Sequence, residues 1–204
     1  MDIKLSELSA GQIYATMTQA LIPRPIAWVL SENEDAGLNL APFSYFTAVS
    51  SKPPLIMLSV GKKPDGSPKD TCANIQARKE FVVHIAHREM MVPVNDSSAS
   101  HPAGFSEVDA LGLELTGLEG SRLPRLAECR LAMACELYQI QEIGDVPQAL
   151  IFGLVNSIYV DDAIAAKDEK GRYKIHADRL DPLARLGAGE YQAFGQVMPL
   201  GRPK

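Results

Sequence analysis

Cys129-Arg-Leu-Ala-Met-Ala-Cys-Glu-Leu-Tyr138 decides the fold class. Cys129, Leu131, Met133, Cys135 and Leu137 fall on one face, with Arg130 and Glu136 on the other. That period-two alternation is the mark of a half-buried strand. Downstream, Leu150 to Val160 reads as another long strand, with Gly153 inside it as a bulge. Upstream, Phe81 to Ala86 and Leu55 to Val60 read as strands, the latter introduced by Pro53-Pro54. Ile26 to Ser31, the turn-rich Glu32 to Gly37 and the return Leu38 to Ala41 make a hairpin. Helices are few and short. One is expected within 5–20, with Ser9 as N-cap and Pro23 and Pro25 beyond its end. Another is expected over 70–79, capped by Asp70 or Thr71, and residues 88–110 hold short pieces. Many strands with few long helices predict a mainly β antiparallel barrel or sandwich, not a doubly wound sheet. The tail from Leu180, with Gly187, Gly189, Gly195 and Gly201, is expected to order only where it docks.

The chain has 204 residues, of which 46% are hydrophobic and 22% charged, enough for one domain with a real core. We expect a single domain over 1–204, with a core at about 20–160 and a C-terminal docking extension at about 161–204. A net charge of -5 argues against nucleic acid as partner, because neutralising phosphates takes clustered Lys and Arg. No run of 18 apolar residues is present, so no membrane span is expected. The first residues lack a basic region and an apolar core, so no secretory signal is read there. Three cysteines, Cys72, Cys129 and Cys135, without CxxC spacing predict free thiols in the cytoplasm.

Several chemistries are absent. There is no P-loop, and Gly187-Ala-Gly-Glu-Tyr-Gln192 ends on Gln192 where a dinucleotide fingerprint needs glycine. His84 and His87 would lie on opposite faces of a strand, and His87-Arg-Glu-Met-Met91 is not HExxH, so no metal site is assigned. Two segments do look like a site. In Asn39-Leu-Ala-Pro-Phe-Ser-Tyr-Phe-Thr-Ala-Val-Ser-Ser51, Pro42 is expected to interrupt the ladder and free backbone donors, while Asn39, Ser44, Thr47, Ser50 and Ser51 add polar side chains. Those groups suit a flat heterocycle, although an ordinary polar loop would read the same way. Asp65-Gly-Ser-Pro-Lys-Asp-Thr71 opens a helix, where leading N–H groups, Lys69, Ser67 and Thr71 could cradle a phosphate. The alternative there is a solvated loop with Lys69 pairing Asp70. Together the two segments fit a mononucleotide.

Arg24-Pro-Ile-Ala-Trp-Val29, Asn39-Leu-Ala-Pro-Phe-Ser-Tyr-Phe46, Ala48-Val-Ser-Ser-Lys-Pro-Pro-Leu55, Lys69-Asp-Thr71 and Glu80-Phe-Val-Val83 resemble, in order and spacing, the flavin reductase-like family of FMN-binding split barrels. Pro182-Leu-Ala-Arg-Leu-Gly-Ala-Gly-Glu-Tyr191 is similar to the C-terminal signature of that family's flavoredoxin-like branch. The resemblance implies a Greek-key split β-barrel with a few short flanking helices, a homodimer, and FMN near the dimer interface. By that analogy Asn39, Leu40, Ala41, Pro42, Ser44, Ser50 and Ser51 contact the ring and ribityl chain. Ser67, Lys69, Asp70 and Thr71 hold the phosphate, and Arg24 and Asn95 lie nearby. The chain departs from the family at His84, where Asn is usual, and around Val94 to Ser98.

A flavin reductase takes hydride from NADH or NADPH at flavin N5 and passes electrons to free flavin or a partner, so no catalytic base is assigned. Two alternatives imply other behaviour: a flavoredoxin-like carrier with tightly held FMN, reduced by a protein partner, or a flavin-binding barrel without redox turnover. His84, His87, His101 and His176 are expected to be structural or exposed. His176 could join Tyr173 and Arg179 in a loop over 171–180 that covers a pocket.

Overall fold

The chain folds around the strand pair that the alternation foretold. The computed structural model describes residues 1–201 and Pro203. Helix α1 (Ala10–Ala20) precedes β1 (Ala27–Glu32), β2 (Leu38–Phe43), β3 (Phe46–Ser51) and β4 (Pro54–Val60). Then come α2 (Asp70–Arg78), β5 (Glu80–His84), α3 (Met91–Asp96), α4 (Glu107–Ala110), β6 (Leu131–Ile143) and β7 (Gln148–Val160). The strands form one seven-stranded antiparallel sheet in the order β2-β1-β5-β6-β7-β4-β3. Its two edge strands, β2 and β3, are consecutive in the chain and joined only by Ser44-Tyr45, so the sheet curls until its edges meet at a seam. This is the Greek-key split barrel, with α2 carrying the crossover from β4 to β5.

Two apolar clusters explain the curl. Ala27, Val29, Ile56, Leu58, Phe81, Val83, Cys135 and Ile151 fill the barrel, closed at one end by Cys72 and Ile75 of α2. On the outer face, Trp28, Leu30, Val82, Ala132 and Ala134 pack under the segment holding Met90, Val94, Val108 and Leu126. β6 is therefore covered on both faces where it begins, and its alternation is legible only because the outer face uses small alanines. β7 slips register at Phe152/Gly153, the expected bulge. A Cβ on Gly153 would stand 2.5 Å from the Phe81 ring, so the bulge also makes room for that side chain.

Four expectations are corrected. Phe46–Ser51 is a strand and not a polar loop, because β4 pairs along it. Pro42 does not interrupt β2, which pairs from Leu38 to Phe43. Leu40, two residues before it, donates its N–H to Glu107, away from β1, so Pro42 occupies an outward position where a missing N–H breaks no ladder bond. The N-cap of α2 is Lys69, not Asp70 or Thr71. Residues 171–180 are not a loop: Tyr173–Ile175 is a strand paired with Ala165–Lys167, and Ala177–Leu180 is a helical turn. At the other end of the chain, Ser9 caps α1 as expected, in a reciprocal box with Gln12.

The C-terminal segment docks on the start of the barrel. Ala184-Arg185 pairs with Arg24-Pro25 on one side and with Tyr191-Gln192 on the other. Among the described residues no helix is long and apolar enough to cross a membrane.

Candidate functional site

The seam between β2 and β3 opens into a cleft of about 1110 Å3. One wall is the Pro42–Tyr45 corner, faced by Ile13, Tyr14 and Met17 of α1. The Tyr14 and Tyr45 rings, 6.5 Å apart and tilted at 44° to one another, give this wall its aromatic surface. The position of α1 depends on Arg24, which is buried. Its guanidinium donates to the carbonyls of Thr18, Leu21 (2.6 Å) and Leu186 (2.9 Å), and to the Ser44 hydroxyl at 3.3 Å. Arg24 is thus the clamp joining α1, the C-terminal segment and the cleft corner, and it is not itself part of the lining.

The opposing rim is basic. Lys62 pairs with Glu142 at 3.3 Å and Lys63 with Asp70 at 2.7 Å. Lys69 has no carboxylate within 4.0 Å among the described residues; its ammonium sits 5.9 Å from the Phe43 ring. As N-cap of α2 it gives no side-chain bond to the helix, so the leading amides of α2 are left without a side-chain cap beside a free cation.

The sequence-predicted residues divide. Pro42, Ser44 and Lys69 are brought together in the cleft. Asn39, Leu40 and Thr71 lie buried behind the wall. The Asn39 amide donates to Thr71 (2.9 Å) and Ser31 (3.2 Å), and Asn74 donates to Ser31 (3.2 Å) and Asn33 (2.8 Å). This polar layer fixes the start of α2 against β1 and β2. Ala41 packs against the barrel interior. Asp70 lies behind Lys63, and the Ser67 hydroxyl donates to Asp65 at 2.6 Å, which holds the Asp65 carboxyl below its usual range. Ser50 and Ser51 are exposed on edge strand β3 and do not line the cleft, the Ser50 oxygen accepting from Lys52 N–H at 3.2 Å.

Asn95 accepts from the Tyr191 hydroxyl at 3.3 Å and lines a second cavity of about 480 Å3 with His101, Phe105 and Glu107. Ser98 lines both spaces. Burial raises the Glu107 carboxyl, and the Leu40 N–H it accepts at 2.9 Å works the other way. His84 does not line the cleft and is fully buried. Leu126 N–H donates to its Nε2 at 3.0 Å, so the proton sits on Nδ1, which donates to Trp28 O at 3.1 Å. Burial pulls its pKa down to about 4. His176 does not line the cleft.

Sequence reasoning missed Tyr14, Tyr45, Lys62, Lys63, Arg185 and Tyr191, all of which line the cleft. Lys62 and Lys63 stand in the Gly61 to Lys69 loop and Tyr45 in the polar segment, so both carried a local signal. Tyr14 carried none, since its place follows from the distant Arg24 clamp.

A family model described as flavin reductase like domain matches residues 18–177. The chain belongs to the flavin reductase-like family. An uncharacterized protein of Halalkalibacterium halodurans is 36% identical over 208 residues, covering 100% of this chain and 97% of that one. Nitrilotriacetate monooxygenase component B from Bacillus cereus is 34% identical with a TM-score of 0.89, over 98% of each chain. The Pseudomonas fluorescens 2-nitrobenzoate 2-nitroreductase is 29% identical with a TM-score of 0.87, over 100% of this chain and 96% of that one. Flavin reductase-like membership supports flavin binding and a place among oxidoreductases.

Proposed function

We propose that the chain is an FMN-dependent reductase, taking hydride from NADH or NADPH and passing electrons to free flavin or a protein partner. One observation carries this reading: Lys69, the residue at the start of α2 and unpaired by any carboxylate among the described residues, lines the same cleft as the Pro42–Tyr45 corner. FMN bound there supplies the redox chemistry, accepting two electrons and a proton as hydride and releasing them again. Lys69, at the start of α2, would hold and orient a phosphate, its charge adding to the helix dipole. Tyr14 and Tyr45 would offer a bound ring aromatic surface to pack on. Ser44, pinned by Arg24, would offer its hydroxyl to a bound ring. The polar layer through Asn39 and Thr71 keeps phosphate cradle and wall in register.

The likeness to a monooxygenase component at 34% identity supports delivery of electrons to a partner. The same reading takes 1–204 as one functional domain, in the cytoplasm, working as a homodimer. Three unpaired thiols support the compartment. The open ladder of β3, with Val49 half-exposed, supports a twofold partner, since a bare edge strand invites pairing. Sedimentation at the monomer mass would refute the dimer.

The deciding test is the visible spectrum of purified protein before and after anaerobic NADH or NADPH. Flavin bands that bleach with either nucleotide bear the reading out. Bands that persist point to the flavoredoxin-like carrier or a non-redox barrel. No bands, even after incubation with FMN, refute flavin binding itself.

A further inference from the structure

Two cations that line the cleft, Lys69 and Arg185, have no carboxylate partner among the described residues. Lys62 and Lys63 are neutralised by Glu142 and Asp70, and Lys69 stands at the start of α2. That leaves Arg185, which has no carboxylate within 4.0 Å among the described residues. Its one side-chain bond among those residues is long, 3.4 Å to the Glu190 carbonyl, so most of its fork is free. We propose that Arg185 binds the phosphates of the dinucleotide reductant, and so sets the affinity for the second substrate but not for FMN. This rests on the reductase reading above.

Three observations support it. First, Arg185 is held in place without a ligand. Its guanidinium lies 4.4 Å from the centre of the Tyr191 ring, its strand pairs with both Arg24 and Tyr191, and the Tyr191 hydroxyl donates to Asn95 at 3.3 Å. A guanidinium fixed in this way loses little freedom on binding, and its planar fork suits a phosphate. Second, Arg185 and Tyr191 come from beyond residue 177, where the family match ends, while the α2 cradle and the Pro42–Tyr45 wall lie inside it. Arg185 and Tyr191 thus stand on a different segment of the chain from the residues assigned to FMN. Third, there is room. The cleft of about 1110 Å3 meets the cavity of about 480 Å3 at Ser98, and Tyr191 touches Asn95 of that cavity. A pocket for one small ligand spans roughly 300–1,000 Å3.

The test uses FMN-loaded protein, ADP-ribose as a probe that carries the diphosphate without the nicotinamide, and steady-state kinetics with NADH and NADPH. Arg185→Gln is expected to weaken ADP-ribose binding by calorimetry, and to raise KM for the dinucleotide, by roughly ten- to a hundredfold. With the chemical step untouched, kcat should stay within about twofold, and FMN affinity by fluorescence should not change. Arg185→Lys should recover part of the loss, because charge returns without the fork. Tyr191→Ala, which frees the guanidinium, should move KM in the same direction by less. If Arg185→Gln fails to fold, the partial KM shift of Arg185→Lys decides the matter. Unchanged KM and ADP-ribose binding would overturn the proposal while wild-type bleaching left the reductase reading intact. Loss of FMN from Arg185→Gln would overturn it by returning the residue to the flavin site. Wild-type protein that neither bleaches nor binds ADP-ribose sinks both.

Discussion

The barrel wall and the cleft it borders use the same kinds of polar residue in opposite ways. Inside the wall, Asn39, Asn74, Ser31, Thr71 and His84 are all buried, and each is bonded to another protein group. On the cleft side, Lys69 has no counter-charge among the described residues. The difference follows from solvent. A buried polar group without a partner costs about 1–3 kcal/mol, so interior groups must satisfy one another during folding. A cleft group is satisfied by water until a ligand replaces it. Interior groups should therefore report on stability, and cleft groups on ligand affinity.

The hardest test of that separation is acid. His84 has its pKa pulled from 6.5 to about 4, so below pH 6.5 the unfolded chain takes up a proton that the fold refuses. The stability this neutral imidazole contributes is whole above pH 6.5 and is lost as pH falls toward 4, about 3 kcal/mol in all. Urea melts at pH 7.5 and 4.5 should show this loss in the wild type and not in His84→Asn, whose amide does not titrate. The raised Glu107 carboxyl is common to both proteins and cancels in the difference. Equal acid sensitivity of the two would break the assignment of His84 to the wall.

Next in size is Asn39→Ala, which strands Thr71 and Ser31. It should lower unfolding free energy by about 2 kcal/mol, with FMN affinity falling only as the α2 start loosens. A variant of wild-type stability that no longer retains FMN would move Asn39 from the wall to the cleft.

These residues also mark how far the sequence could be read. The Cys129–Tyr138 alternation identified β6 because one face is large and apolar, and Ser9 identified α1 because a capping box is local. β3 was invisible: its residues are mostly exposed, so no apolar face betrays it, and its strand character comes from pairing with β4. Both candidate segments contribute residues to the cleft, but the facing of their side chains was not legible. Asn39 and Pro42 lie three residues apart on one strand, so strand phase sends one inward and the other to the cleft. Tyr14 could not be read at all, because α1 is set by Arg24 bonds to the backbone of Thr18 and Leu21.

Lys69→Ala should show the converse of Asn39. Loss of a charge-assisted contact to phosphate weakens FMN binding roughly ten- to thirtyfold, about 1.4–2 kcal/mol. Unfolding free energy should change by less than about 0.5 kcal/mol, since the ammonium bonds no carboxylate among the described residues. FMN titration and a urea melt on the same sample check both halves. A stable variant with unaltered FMN affinity would leave the basic rim without its assigned role.

The smallest effect is the most discriminating. Ser67 stands beside Lys69 in the loop, and its residue type alone fits a phosphate donor. Its hydroxyl, however, already donates to Asp65 at 2.6 Å, and the Ser67 N–H donates to the same oxygen at 2.9 Å. Any contact with phosphate would have to break the hydroxyl's bond to a carboxylate and bring that carboxylate near a second anion. Ser67→Ala should therefore change FMN affinity by less than about twofold, within the scatter of exposed substitutions. A tenfold loss would mean that the loop rearranges on binding and that Asp65 turns away. In that case the boundary between wall and cleft is drawn by the ligand, and the free protein's hydrogen bonds do not fix it.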